Sequence, residues 1–276
     1  MASAKDLIVK PISSADARVA VKKYHYSGKV VNNSQLHLGV FLNGKLEGCM
    51  SFGPSMDKRK IQGLVRDTAW NGFIELNRMA FSDRLPRNSE SRALSVAFRM
   101  IKQHYPHIEW VVSFADGAQC GDGTIYRASG FVLTSIKKND QIWKAPTGET
   151  FARMSLTDGK SKQQQQQQAK TVIRHSVTKG KHMENGAASM KQYADAGFKP
   201  IDGYQLRYIY FLNPAAKARL TCDILPFSKI AEMGAGMYKG ESIKRDKQAF
   251  TESIGVAAGQ NRPSRSTISG GAQSCP

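Results

Sequence analysis

The run Trp110-Val111-Val112-Ser113-Phe114-Ala115 constrains the fold most. A near-continuous apolar stretch of strand length has no polar face to turn to water, so it predicts a strand buried on both sides. The residues before it supply one covering layer. Ala93, Leu94, Ala97, Phe98 and Ile101 recur at helical spacing, with Arg92, Arg99 and Lys102 on the other side, which predicts an amphipathic helix. Earlier still, Phe73 to Phe81 alternates as a strand does, with Ile74, Leu76 and Arg78 on one face and Glu75 and Asn77 on the other. Strand, helix and buried strand in that order read as a crossover unit.

The flanking elements are also legible. Asp16 to Tyr24 predicts a short helix. Leu36 to Leu42 and Leu46 to Phe52 predict a hairpin, because Asn43-Gly44 supplies the positive φ angles of a type I′ turn. Gly123 to Ser129 predicts a short helix ended by Gly130, Phe131 to Ile136 a strand, and Tyr208 to Leu212 a strand returning to the same sheet. The expected fold is α/β, with a mixed, mostly antiparallel central sheet flanked by helices and turning parallel around the crossover helix. That is the layout of GNAT-type acyltransferases, and by itself it fixes no function. The expected organisation is a catalytic core over residues 1–143 and a basic insertion or linker over 144–203 carrying the glutamine run Gln163 to Gln168. A segment over 204–249 returns to the core, and residues 250–276 form a disordered tail.

Charge narrows the partner. The 276 residues hold 40 Lys and Arg against 22 Asp and Glu, a net charge of +18. Such a surplus suits a polyanion, since each neutralised phosphate releases condensed counterions. Four widely spaced cysteines with no Cys-x-x-Cys pair speak against a zinc ribbon or a disulfide framework. No signal peptide or membrane span is visible, so a soluble, cytoplasmic protein is expected.

Several residues invite a chemical reading, each beside a plainer one. The loop Arg87-Asn88-Ser89-Glu90-Ser91-Arg92 opens the long helix. Cations there oppose the helix dipole unless a phosphate sits between them, as coenzyme A pyrophosphate does at this point in GNAT enzymes. The glycines usual in that turn are absent, and an ordinary Asn or Ser cap is the alternative. Asp116 follows the buried strand, where ligand crevices form, or it simply caps the turn to Gly121. His25 and Tyr26 offer a base or metal ligands, or structural packing. Tyr126 is an acid for a leaving group, or a core tyrosine. Arg78, if it points inward, needs an anionic partner.

Together these segments resemble the Mom family of phage DNA-modification proteins. The resemblance is carried by His25-Tyr26-Ser27-Gly28, Glu75-Leu76-Asn77-Arg78-Met79-Ala80, Asn88-Ser89-Glu90-Ser91-Arg92-Ala93, Val111 to Asp116 and Ile125 to Gly130, with a later block at Tyr208 to Leu212 and Leu225-Pro226-Phe227. It implies an enzyme that converts adenine in duplex DNA to carbamoylmethyladenine and hides restriction sites. It implies functional roles for His25, Tyr26, Arg78, Ser91, Asp116 and Tyr126, and an iron ion held by His25, Tyr26 and Asp116. The donor it implies is acetyl-CoA or a glycine-derived donor such as an aminoacyl-tRNA, seated at Arg87, Asn88, Ser89, Ser91 and Arg92. The substrate calls for base flipping, with Tyr24 or Phe52 as a stacking face. Lys58, Arg59, Lys60, Lys137, Lys138, Lys179 and Lys181 are the expected grip on the DNA backbone. The alternatives are a GNAT N-acetyltransferase acting on a small amine or a protein, and a DNA-binding protein without catalysis.

Overall fold

The computed structural model describes residues 2–153, 156, 190–238 and 241–243. The glutamine run, Lys179, Lys181 and residues 250–276 lie outside the described residues.

The main sheet has seven strands in the order β1 (Ile8–Pro11), β2 (Leu36–Leu42), β3 (Lys45–Gly53), β4 (Phe73–Phe81), β5 (Trp110–Gly117), β10 (Tyr204–Phe211), β6 (Val132–Lys138). Every neighbouring pair is antiparallel except β4 with β5, which are joined by the crossover helix α3 (Ser89–His104). This is the mixed, mostly antiparallel GNAT-like layout expected from the sequence. The β2–β3 hairpin turns at Asn43 and Gly44, whose φ of 51° and 76° are those a type I′ turn requires. Gly123 must be glycine. Its φ is 86°, and an added Cβ would run into the Tyr208 ring.

Helices cover the two faces unequally. On one face α3 buries Ala93, Leu94, Ala97, Phe98 and Ile101 against Leu38, Met50, Phe52, Leu76 and Val111. Each such side chain contributes about 1.5–3 kcal/mol by leaving water, and Leu94→Ala would cost about 2–5 kcal/mol. On the opposite face α1 (Ser14–Tyr24) packs Ala20 and Val21 on Cys49 and Ala80. Further along that face, α2 (Lys58–Gln62) and the turn Pro214–Arg219 add Ile61 and Ala216 to Phe73, Trp110 and Val112. Those two clusters are separate. Between them the sheet carries polar groups in place of core.

The sheet also opens there. β4 and β5 pair only from Phe73–Glu75 to Trp110–Val112, while β5 stays fully paired with β10. At the fork the Ser113 hydroxyl donates to the Leu76 carbonyl at 3.3 Å, and beyond it the two strands part. A bulge opposite Ser51 and Phe52 adds one residue to β4 at the same level, so Ser51 pairs with Arg78 but Phe52 with Leu76. The extra residue reverses the alternation. Leu76 and Met79 face the α3 core, while Arg78 shares the α1 face with Ser51 and Ala80. The expectation that Arg78 lies on the Leu76 face is therefore corrected, and the cause is the bulge.

The ends of the segment 144–203 are built around a core of their own. β7 (Ile142–Lys144), β8 (Thr150–Ala152) and β9 (Lys199–Pro200) form a small sheet. With α5 (Met190–Asp195) they enclose Ala145, Leu156, Tyr193 and Phe198. Among the described residues, no helix is long and apolar enough to cross a membrane.

Candidate functional site

The cleft forms where α1 ends over the fork. His25 leaves the helical conformation while its N–H still bonds the Val21 carbonyl at 3.0 Å. The chain then folds back on itself. The Ser27 N–H donates to His25 Nδ1 at 3.2 Å, the Ser27 hydroxyl lies 2.9 Å from the same nitrogen, and Gly28 closes the turn at φ 59°. A ring nitrogen that accepts a backbone N–H carries no proton, so neutral His25 holds its proton on Nε2. Burial, assisted by the charge of Arg78, lowers the His25 pKa to about 4, which keeps the ring neutral at physiological pH.

This turn swings Tyr26 across the cleft. Its ring is 52% exposed and lies 4.4 Å from the His25 ring, yet its hydroxyl reaches inward and donates to Asp116 Oδ2 at 2.9 Å. Burial of the hydroxyl, followed by the Asp116 charge, raises the phenol pKa, so the proton stays on the oxygen. Asp116 sits near the end of β5. Its Oδ1 accepts the N–H groups of Ala118 and Gln119 at 3.0 and 3.2 Å, and its Oδ2 accepts Tyr26 and the Gln119 side chain. The turn-capping and site-facing readings of Asp116 thus hold together, one for each oxygen.

Arg78 approaches from β4. Its guanidinium donates to the carbonyls of Lys29 at 2.9 Å and Asn77 at 2.7 Å, and burial works against its charge. Tyr26, Glu75, Tyr126 and Asp116 all sit close enough to favour that charge. Tyr126 enters on α4 (Thr124–Ala128), half-buried among Phe131 and Tyr208, with ring centroids 5.1 and 5.3 Å away. Burial raises its pKa, and the Ser113 hydroxyl beside it acts the other way. Five of the six expected residues, His25, Tyr26, Arg78, Asp116 and Tyr126, are therefore brought together.

Ser91, the sixth, stands at the start of α3, and its hydroxyl donates to the Asn88 carbonyl at 3.1 Å. In the same loop Asn88 has a left-handed φ of 69° and makes no side-chain cap. Ser89 is buried and donates to the Pro86 carbonyl at 2.6 Å. Arg87 and Arg92 are exposed and form no ion pair among the described residues. Of the basic residues, Arg59, Lys60, Lys137 and Lys138 are exposed, and Lys58 lies 4.5 Å over the exposed Trp70 ring. Phe52 is fully buried and Tyr24 packs on the Cys49–Ala80 cluster, so neither offers a free stacking face.

The expected iron ligands do not form a ligand set. The His25 Nδ1 lone pair is taken by the Ser27 N–H, and the Tyr26 phenol keeps its proton for Asp116. Among the described residues no group of three His, Cys, Asp or Glu is placed to hold a metal.

Two nearby groups escaped sequence reasoning. Glu75 occupies the last paired position of the fork, beside the buried Ser55 hydroxyl, and burial raises its pKa while Ser55, Asn77 and the Arg78 charge act the other way. Cys120 lies close to Asp116 and Tyr126, its thiol pKa raised by burial and by the Asp116 charge. The polar run Glu75, Asn77 and Arg78 within a strand that buries Phe73, Leu76 and Ala80 was the available signal for Glu75. Cys120 had none.

The Mom protein family matches residues 6–229. The methylcarbamoylase mom of Escherichia phage Mu is 35% identical over 221 residues, covering 80% of this chain and 81% of that protein. The chain belongs to the Mom family. Among solved structures, an IAA acetyltransferase from Bacillus cereus covers 74% of this chain and 99% of its own, at 9% identity and a TM-score of 0.38. A probable acetyltransferase from Staphylococcus epidermidis covers 74% and 98%, at 9% identity and a TM-score of 0.37. Likenesses at that level add nothing to what the strand order already establishes.

Proposed function

We propose that this Mom-family protein is an enzyme that modifies phage DNA, converting the adenine amino group to its carbamoylmethyl derivative and so hiding restriction sites. The observation that carries the reading is the Tyr26 hydroxyl bonded to Asp116 at the open fork, with Arg78 beside it and Tyr126 across it. The family match and the phage Mu relative support the substrate class.

The chemistry follows from the groups present. An adenine amino nitrogen is a poor nucleophile and is paired within the duplex, so the base is flipped out at a cost of a few kcal/mol. Asp116, anchored through Oδ1, takes a proton from the amino group as its nitrogen bonds to the donor's carbonyl carbon and the bond from that carbon to the carrier breaks. From a glycyl ester this gives the glycyl amide, an isomer of the carbamoylmethyl product. The product itself forms when the glycyl amine attacks adenine C6 and the original amino nitrogen leaves as the amide. Tyr26 holds that carboxylate in place. Neutral His25 presents Nε2–H as a hydrogen-bond donor and not as a base, and Arg78 stabilises negative charge that develops on the transferred group. Tyr126, kept protonated by burial, gives its proton to the departing carrier.

The donor's phosphate is placed at the α3 loop, among Arg87, Asn88, Ser89, Ser91 and Arg92, whichever carrier brings it, coenzyme A or a tRNA. The DNA backbone is gripped by Lys58, Arg59, Lys60, Lys137 and Lys138. Residues 2–143 and 204–238 form the catalytic body. Mass spectrometry of nucleosides from cells expressing the chain tests the reading. A new adenosine species heavier by a carbamoylmethyl group is expected, and it should vanish with Asp116→Asn. An unaltered nucleoside profile from a folded, expressed protein would sink the proposal.

A further inference from the structure

Beneath α1, on the same face of the sheet as the Tyr26–Asp116 pair, lies a second cavity of about 160 Å3. At ~30 Å3 per molecule it has room for roughly five waters, which is ample for a tetrahedral oxyanion with part of a sugar. Its wall combines Arg18 of α1, Arg78 of β4, His37 of β2 and Ser51 of β3 with Asn32 and Ser34 of the intervening loop. No Asp or Glu lines it.

Both cations lack a carboxylate partner. Arg78 donates only to two backbone carbonyls, and Arg18 forms no ion pair among the described residues. Arg78 is half-buried, with the charges of Glu75 and Asp116 on its cleft side and no carboxylate on the cavity side, and Arg18 stands exposed at the cavity rim. Two guanidinium groups on facing elements present forks suited to phosphate oxygens. His37 is engaged with the Ser51 hydroxyl at 2.9 Å, and burial together with Arg18 lowers its pKa, so the arginines supply the positive charge. Arg78 is common to this cavity and to the reactive cluster. A phosphate held here and the reactive cluster therefore share the Arg78 guanidinium.

We infer that this cavity binds one backbone phosphate of the nucleotide being modified, gripped between Arg18 and Arg78, and so sets the register of the flipped adenine. The inference rests on the DNA-modifying reading. It assigns the α1 side to the acceptor strand and leaves the α3 loop to the donor.

The test uses the full chain and short single-stranded oligonucleotides containing one adenosine, with each phosphate in turn replaced by a neutral methylphosphonate. One position next to the adenosine should weaken binding about tenfold in the wild type, as expected for a charged hydrogen-bonded contact. It should weaken it less than about twofold in Arg18→Gln, where that contact is already lost. Arg18→Lys should restore most of the sensitivity. Arg18 is exposed on α1, so both variants should fold. Equal losses at every position in wild type and Arg18→Gln alike would overturn the inference. So would a tenfold loss of coenzyme A affinity in Arg18→Gln, which would give the cavity to the donor. Binding is read without turnover, so a failed cavity with intact adenine modification leaves the proposed function standing, and the reverse result is equally distinct.

Discussion

The cleft beside α1 and the loop before α3 both gather polar and cationic residues around the central strands, but they are built differently. In the cleft, side chains from α1, β4, β5 and α4 meet through contacts of long sequence separation, such as Tyr26 to Asp116 at 2.9 Å. In the loop, the groups satisfy one another locally. Ser89 bonds Pro86, Ser91 bonds Asn88, and Arg87 and Arg92 point to solvent. A preorganised, half-buried cluster acts on bonds being made, whereas an exposed cationic loop adds affinity. Under the proposed function the cleft is expected to govern kcat and the loop KM.

The largest effect should come from the cleft. Asp116→Asn keeps the Oδ1 acceptor for Ala118 and Gln119 but removes the charge, so adenine modification should fall about 10²–10⁴-fold with the melting temperature little changed. Asp116→Ala should lose the turn cap as well, a further destabilisation of about 1 kcal/mol. If Asp116→Asn retained activity, the cleft would be a structural cluster and the contrast would dissolve. Next, Arg78→Lys keeps the charge without the fork, and modification should drop about a hundredfold when assayed on the nucleosides of expressed DNA.

The loop should answer differently. The double change Arg87→Gln with Arg92→Gln should raise the KM for the donor about tenfold, the sum of two exposed dipole-end contacts, and leave kcat alone. A loss in kcat instead would move the loop into the chemistry. The smallest effect concerns protons. The folded His25 pKa of about 4 lies below the ordinary 6.5, so the unfolded chain binds more protons between those values. Stability from a neutral His25 is fully present above pH 6.5 and is lost as pH falls toward 4. The melting temperature of His25→Gln should therefore fall less steeply than that of wild type over that range. Parallel curves would show that burial of His25 contributes nothing.

Much of the architecture could be read without coordinates, because periodicity and turn chemistry are local. The β4–α3–β5 crossover, the Asn43-Gly44 hairpin and the Gly130 cap each rest on a few adjacent residues, and each is present. Short edge elements were less visible. β1 carries only four residues with a mostly exposed pattern, and the β7–β8–β9 sheet joins strands of two or three residues across a long separation. Neither leaves a periodic trace.

Residue types at the site were legible where an unusual side chain interrupted a pattern, as with Asp116 after an apolar strand. The facing of Arg78 was not, because a bulge is a property of strand pairing. Sequence alone determined the crossover fold, the excess of positive charge and the pool of reactive side chains, since these follow from spacing and composition. Tertiary structure alone decided which of those side chains meet. It did so through the short β4–β5 pairing, the β4 bulge and the turn after α1, three features set by contacts between residues far apart in the chain.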